Sequence, residues 1–209
     1  MPDFAVLPGA SEPGKREQKA TRNRNAILDA ARKVFCEVGY GAATVRDIIR
    51  GTDLATGTFY NYFPDKESVL RVLIEEFQRE LRRRVREARS RATSLEEMLH
   101  SAFECCFRVF VEDEVILELM VRNAGEIHDL TASTALEPAI EELADDLREK
   151  LRQGIIPPID IDYLARSMVA TAAELAFAVV RQKPADVAGA TRFATELFLG
   201  GIERLSRKG

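Results

Sequence analysis

TVRDIIRGTDLATGTFYNYFPDK, residues 44–66, reads as two short helices joined by a tight turn. In the first of them Val45, Ile48 and Ile49 recur at positions i, i+3 and i+4, so one side of the helix is apolar. Thr44 precedes this pattern and is a suitable N-cap, and a break is expected near Gly51. The pattern predicts a compact pair of helices in which the first supports the second.

The second segment, residues 55–63, divides its side chains into two sets. Leu54, Phe59 and Phe63 are expected to pack inward. Hydroxyl and amide groups remain for the outward side, on Thr56, Thr58, Tyr60, Asn61 and Tyr62. A small helix that presents hydrogen-bonding groups in this way is typical of a helix-turn-helix whose second helix enters the major groove of DNA.

Two runs, ILDAARKVFCEVGYGAATVRDI and GTFYNYFPDKESVL, closely resemble the DNA-binding domain of the tetracycline-repressor (TetR) family of bacterial transcription regulators. The resemblance spans about Ala20 to Phe77. The chain departs from the family at Asp53, where a glycine is usual, and at Thr56, where a basic residue is common. Since aspartate tolerates a left-handed backbone, the turn is expected to survive at Asp53.

The resemblance implies which residues contact operator DNA: Thr44, Arg46, Thr56, Gly57, Thr58, Tyr60, Asn61, Tyr62 and Lys66. Gly57 would let the backbone approach a phosphate, and the tyrosine hydroxyls would bind phosphates. Asn61 and Thr58 could reach base edges. The resemblance also implies a homodimer, because two recognition helices about 34 Å apart match successive major grooves.

Composition and charge agree with a helical DNA-binding protein. The 209 residues are 46% hydrophobic with little alternating pattern, which predicts an all-α chain of about nine helices. The net charge of −4 hides an asymmetry: residues 1–91 carry a net +5 and residues 92–209 a net −9. Phosphate binding needs this local cationic excess and not a basic protein.

No run is expected to span a membrane, and the N-terminus lacks a signal-peptide pattern, so a cytoplasmic protein is expected. Three cysteines suit a reducing compartment, and no spacing suggests a metal or other cofactor. An enzyme would need a nucleophile with its base, a metal cluster or a phosphate loop, none of which the sequence offers.

Three parts are expected along the chain: a disordered arm at 1–18, the helix-turn-helix domain at 19–64, and a ligand-binding and dimerisation domain at 65–209. A first helix should run from Thr21 to Val38 and stop at Gly39. A helix at 65–91, close to 40 Å long by its rise per residue, would connect the two domains. The basic residues before and inside the first helix are either an arm that reaches DNA or a solvated tail.

The second domain carries two patterns with more than one interpretation. Arginines between 82 and 91 are either a solvated face paired with Glu80 and Glu87 or the mouth of a site for an anionic effector such as a fatty acyl-CoA. An apolar stripe is either plain core or the lining of an effector pocket. The candidate pocket residues are Phe103, Phe107, Phe110, Met120, Arg122, Glu174 and Phe177.

Residues 117–147 weakly resemble the ligand domains of TetR-type regulators of unsaturated fatty-acid synthesis, which respond to acyl thioesters. In that case Arg122 would be the polar anchor of the ligand, whereas otherwise it is a capping or salt-bridge residue. A short helix is expected at 114–123.

The last two helices, one opened by Asp160 or Asp162 and one starting at Pro184, are expected to pair with their copies in a second chain. The first of them is apolar on nearly all sides, so the monomer cannot cover it. Glu174 lies in this helix either at the interface or facing the pocket.

The sequence therefore predicts a homodimeric repressor that a small apolar or amphipathic effector releases from a double-stranded DNA operator. The alternatives are a helical protein-interaction module and a ligand-independent DNA-binding protein.

Overall fold

The computed structural model describes residues 14–113 and 136–206. Eight α-helices and no strand lie within these ranges. They are α1 (Lys15–Val38), α2 (Val45–Arg50), α3 (Thr56–Phe59), α4 (Lys66–Ser90), α5 (Leu95–Glu112), α6 (Glu137–Arg152), α7 (Ile161–Arg181) and α8 (Val187–Ser206). The all-α prediction is confirmed, and the short helix expected at 114–123 lies outside the described residues.

The first helix is longer than the sequence pattern indicated. α1 begins at Lys15, six residues before the expected start, so residues 15–18 of the predicted disordered arm are helical. The rest of that arm, residues 1–13, lies outside the described residues. The expected stop is confirmed: Gly39 ends α1 with a φ of 80°, a backbone conformation that glycine adopts without steric cost.

α2 and α3 form the predicted pair on top of α1. Thr44 closes a capping box with Asp47, in which each side chain binds the other residue's backbone N–H. The turn differs from the prediction, because Asp53 does not have a positive φ. Gly51 matters for a different reason: an added Cβ would lie 3.1 Å from the Cβ of Ala30, so its small size lets α2 approach α1.

Two hydrophobic cores share α4. The N-terminal core joins α1, α2 and α3 to Leu70, Leu73 and Ile74 on the first turns of α4. The second core begins on α4 at Phe77 and includes α5 to α8. α4 thus contributes to both cores, with residues up to Ile74 in the first and residues from Phe77 in the second, because the helix-turn-helix needs the start of α4 to close its core.

Caps set the ends of the later helices. Asp65, Ser94 and Asp160 accept hydrogen bonds from backbone N–H groups and begin α4, α5 and α7, as expected. Gly154, with a φ of 70°, follows the end of α6. The last helix begins at Val187 and not at Pro184, because Asp186 accepts the N–H of Gly189 and acts as the cap.

α7 is long and apolar enough to cross a bilayer by length and composition, contrary to the expectation that no segment is. Core and interface helices of water-exposed proteins meet the same criterion. Only 22% of its most apolar stretch is buried inside the chain. The described fold therefore leaves much of this apolar helix uncovered.

Candidate functional site

The outward side of α3 carries the predicted recognition groups. Thr56, Gly57 and Asn61 are exposed, and Tyr60 keeps 59% of its surface accessible to solvent. Phe59 lies fully buried beneath them, with its ring 5.4 Å from that of Tyr60 and 5.9 Å from that of Phe63. This buried aromatic pair fixes the orientation of a helix that, at four residues, is too short to be stable alone.

Two of the predicted contact residues are less exposed than the others. Thr58 is half-buried, and so is Tyr62, whose hydroxyl accepts a hydrogen bond of 3.3 Å from Nδ2 of Asn23 on α1. The Tyr62 hydroxyl still has its own proton to donate. It therefore links the recognition segment to α1 at the surface where DNA would lie.

The start of α2 contributes a rigid capping pair, Thr44 and Asp47, and an exposed arginine, Arg46. The hydroxyl of Thr44 donates to Asp47 at 2.6 Å and accepts its N–H at 3.2 Å. Hydrogen bonds donated by the hydroxyl and by the backbone N–H of Thr44 lower the pKa of the Asp47 carboxyl and keep it ionised. Arg46, the residue before Asp47, is exposed and has no ion pair with any described residue. The cap thus fixes the backbone from which Arg46 extends.

Lys66 has a different environment from the one predicted. Its ammonium donates to the backbone carbonyls of Tyr40, Gly41 and Ala43 at 2.7, 3.2 and 2.9 Å, and it lies 4.5 Å from the centre of the Tyr40 ring. A lysine has three protons to donate, and all three are used. Contact with a phosphate is therefore replaced by a structural role: Lys66 fastens the α1–α2 loop to the start of α4.

We expect Lys66→Met to lower the free energy of unfolding by about 1.5–3 kcal/mol, because hydrogen bonds from a charged donor are lost and three carbonyls lose their partner. Urea unfolding measures this change. The control is Arg46→Met, which should leave unfolding unchanged and reduce the salt dependence of DNA binding by about one unit of slope. The reverse pattern in the two variants would place Lys66 at the phosphate backbone.

The first two turns of α1 carry a cluster of cations that have no ion pair within the described residues. These residues are exposed: Lys15, Arg16, Lys19 and Arg22. At 3.6 residues per turn they lie within roughly a third of the helix circumference, on the side of Asn23. Because Asn23 contacts Tyr62, this α1 cation cluster continues the recognition surface along the helix. Of the two interpretations of the basic N-terminal residues, this placement favours contact with DNA.

The arginines of α4 are largely ion-paired. Arg83 binds Glu80 and Glu87 along α4, as one interpretation predicted. Others connect α4 to neighbouring helices, which the sequence did not indicate: Arg84 with Glu112 on α5, Arg82 and Arg86 with Glu142 on α6, and Arg89 with Asp146 on α6. The exposed pairs among them, such as those of Arg83 and Arg84, contribute little to stability, whereas the Arg89 side chain is buried. They orient α4 against the second domain.

The candidate pocket residues separate into three groups. Phe103, Phe107 and Phe110 are buried, in two groups of ring contacts: Phe103 stacks on Phe107 and lies 5.8 Å from Phe198, and Phe110 lies 5.8 Å from Phe177. Glu174 is exposed in the monomer, so it does not face this cluster of rings and has the position expected of an interface residue. Met120 and Arg122 lie outside the described residues.

Two side-chain links join α1 to the second unit and to α4. Arg24 pairs with Glu76 on α4 at 3.3 Å, and Arg32 pairs with Asp113, at the C-terminal end of α5, at the same distance. Sequence patterns did not identify either pair, since their members are 52 and 81 residues apart. The second pair joins the DNA-binding unit directly to the end of α5.

The cysteines have the character of packing residues. Burial raises the pKa of the Cys106 thiol to about 12 and also raises that of Cys105, so neither forms a thiolate at neutral pH. Within residues 14–113 and 136–206 no three His, Cys, Asp or Glu side chains are arranged to hold a metal ion.

Comparison with known proteins agrees with this geometry. The family model described as bacterial regulatory proteins, tetR family, matches residues 27–73, which end where the N-terminal core ends on α4. The transcriptional repressor KstR of Mycobacterium tuberculosis is 30% identical over 199 residues, covering 94% of this chain and 88% of that repressor.

Solved structures extend the similarity over both units. The fatty acid degradation regulator FadR from Bacillus halodurans has a TM-score of 0.73 and 25% identity, covering 92% of this chain and 98% of that one. FadR from Bacillus subtilis, solved in complex with stearoyl-CoA, has a TM-score of 0.71 and 24% identity, covering 85% and 98%. The chain belongs to the tetR family of bacterial regulatory proteins, and it is a helix-turn-helix transcriptional regulator.

Proposed function

We propose that this regulator is a homodimeric repressor that binds a two-fold operator through α3 and leaves it when an amphipathic effector binds the second domain. The observation that carries the DNA-binding part is the exposed set of hydroxyl and amide groups on α3, held by a buried aromatic pair and a capping box. In this proposal Thr56, Gly57, Tyr60 and Asn61 contact DNA directly, and the α1 cation cluster contacts flanking phosphates.

The uncovered sides of α7 and α8 support dimerisation. On α7 the exposed positions Tyr163, Ser167, Ala170 and Glu174 recur with a seven-residue repeat, and small residues there permit close approach of a second helix. On α8 Phe193 and Leu197 are 59% and 51% exposed. Monomeric proteins rarely leave such a surface to water. A second copy of the chain, packed about a two-fold axis, would cover both helices.

The buried aromatic cluster and its neighbours support an apolar or amphipathic effector. On α5, Phe103 contacts the ring of Phe198 on α8 and Phe110 contacts that of Phe177 on α7, so a molecule that entered among them would separate α5 from the helices proposed to form the dimer. The stearoyl-CoA complex of the Bacillus subtilis neighbour supports a fatty acyl species as the first class to test. An effector acts only through its preference for the form that does not bind DNA.

Selection of bound duplexes from a random DNA library, followed by affinity measurements at several salt concentrations, tests the proposal. A regulator enriches a two-fold sequence and shows a steep fall of affinity with salt. Failure to enrich any sequence would contradict operator recognition and favour the alternative of a helical interaction module. An enriched operator from which acyl species never release the dimer would favour the ligand-independent alternative.

Tyr60→Ala is the sharpest single test of the recognition surface. We expect operator affinity to fall by about 1.5–3 kcal/mol, the range of one lost hydrogen bond to a charged group, because the Tyr60 hydroxyl is proposed to bind a phosphate. Thermal unfolding and dimer formation should be unchanged, since most of this side chain is exposed. Tyr60→Phe is the matched comparison, because it keeps the ring and removes only the hydroxyl, and it should lose a similar amount of affinity. Unchanged operator affinity in Tyr60→Ala would remove this residue from the interface.

A further inference from the structure

Arg89, near the end of α4, has an unsatisfied charge-bearing group in the interior. Only 8% of its side chain is exposed, the least among the ion-pairing side chains of the described residues. Its Nε donates to Asp146 at 2.7 Å, whereas its Nη2 is enclosed and has no hydrogen-bond partner among residues 14–113 and 136–206. Folded proteins rarely leave a buried donor without an acceptor, so this nitrogen needs an explanation.

Three arginines of α4 share two carboxylates of α6. Arg82 and Arg86 lie 3.6 and 3.8 Å from the carboxylate of Glu142 on α6, which is longer than a hydrogen bond. Asp146 pairs with Arg89 and with no other arginine of the described residues. Three guanidinium groups thus face two carboxylates. α4 packs along α5 but comes near α6 mainly through these long side chains. The α4–α6 arginine cluster, formed by these five residues, thus has one unused donor, the Nη2 of Arg89.

The arginine cluster borders the apolar core. Val85, on the same helix as Arg89, and Leu143 and Leu147, beside Asp146 on α6, pack into the second core. Because the hydroxyl of Ser101 on α5 donates to the carbonyl of Ala88, Arg89 lies in the N-terminal half of α5, about level with Ser101. Phe110 lies about 14 Å away along α5, at about 1.5 Å per residue. A long apolar chain extended beside α5 would therefore have one end near Arg89.

We propose that Arg89 binds the anionic head of an amphipathic effector, a carboxylate or a phosphate whose apolar chain lies along the aromatic residues of α5. The inference rests on the ligand-responsive function proposed above and names the group that recognises the charged end. A guanidinium binds either anion through two parallel hydrogen bonds, and Nη2 supplies the donor that Asp146 leaves unused.

The same contact explains how an effector could act on α4. Two parallel hydrogen bonds to the anion use Nη2 together with Nε, and Nε is the nitrogen that donates to Asp146. The anion therefore competes with Asp146, and its binding weakens the link between α4 and α6. α4 also carries Leu70, Leu73 and Ile74 of the DNA-binding unit. A change in its orientation therefore moves α3 relative to the partner subunit. The effector shifts the protein only by its preference for the state in which the Arg89–Asp146 pair is open.

Equilibrium dialysis with laurate, lauroyl-CoA and dodecanol tests the proposal, because the three share one apolar chain and differ in the head. Wild-type protein should bind at least one of the two anions more tightly than the alcohol. Arg89→Gln should weaken that binding about tenfold or more, the usual effect of losing a charge-assisted hydrogen bond. Asp146→Asn should strengthen it, because the competing carboxylate is removed. Arg83→Gln is the matched control and should change little, since its exposed side chain pairs with Glu80 and Glu87 along α4 and lies outside the cluster.

The opposite directions expected for Arg89→Gln and Asp146→Asn separate recognition from damage to the fold, which would weaken binding in both. Loss confined to laurate identifies the carboxylate as the head, and loss confined to lauroyl-CoA identifies the phosphates. Dodecanol binding as tightly as the anions, equal binding by wild type and Arg89→Gln, or no binding of any probe by wild type would overturn the proposal. Operator affinity of the unliganded variants is measured in parallel, so that intact DNA binding leaves the regulator function standing if the anion site fails.

Discussion

Leu197→Glu is expected to convert the dimer to a monomer and to lower operator affinity by about 10²-fold or more. Leu197 is 51% exposed at the middle of α8, where the proposed two-fold interface places it against the other chain. A carboxylate there would lose water on association and would face its own copy across the axis. Affinity falls because a monomer loses the effective concentration that joins two recognition helices, an advantage of about 10²–10⁴.

Sedimentation equilibrium and operator titration measure the two effects together. Arg192→Glu is the control, since Arg192 is exposed on another side of α8. This substitution changes the net charge of the chain by more than Leu197→Glu does. The control should stay dimeric. A dimeric Leu197→Glu variant would place the interface elsewhere, and a monomer with full operator affinity would contradict recognition by paired α3 helices.

Local rules were sufficient for most of the helix ends and for the composition of the recognition surface. Thr44, Asp65 and Ser94 are small polar residues just before apolar periodic segments, and each accepts a backbone N–H at the start of its helix. Burial of Phe59 and exposure of Tyr60 follow from helical spacing alone. These features depend on residues within one or two turns of each other.

The features that the sequence did not reveal depend on contacts between distant segments. Lys66 has the position of a phosphate-binding residue in the motif, yet its ammonium lies on carbonyls of the loop more than twenty residues earlier. Arg32 and Asp113 likewise meet only because α5 returns to the DNA-binding unit. Periodicity gives the side of a helix on which a residue lies and not the partner that it finds there.

The start of α1 shows a related limit. Residues 15–18 are rich in charge and lack apolar spacing, which predicted disorder, but they continue a helix already formed by the buried residues that follow. Adding a turn to an existing helix does not repeat the cost of nucleation. The result matters for function, because the extra turns carry part of the α1 cation cluster beyond the core of the DNA-binding unit.

Phe59→Ala is expected to unfold the DNA-binding unit selectively. Phe59 is fully buried between Tyr60 and Phe63, and removal of such a ring costs about 3–5 kcal/mol through lost burial and a residual cavity. Small units are stable by about 5–15 kcal/mol, so this loss is a large fraction of the total. Operator binding should disappear at 37 °C, whereas the dimer should persist, because α7 and α8 belong to the other core.

Circular dichroism during heating, together with size-exclusion chromatography, follows both units. Phe107→Ala is the matched control, since this ring is equally buried but in the second core. Phe107→Ala should lower the melting temperature of the second unit and the amount of dimer. Phe59→Ala should instead lower the melting temperature of a separate transition that occurs earlier during heating. Because α4 belongs to both cores, two separate transitions are expected only if the two units unfold independently of each other on either side of residues 74–77. A single transition that shifts equally in both variants would show that α4 makes the two units one cooperative structure, and an effector signal would then spread through the whole chain instead of passing along one helix.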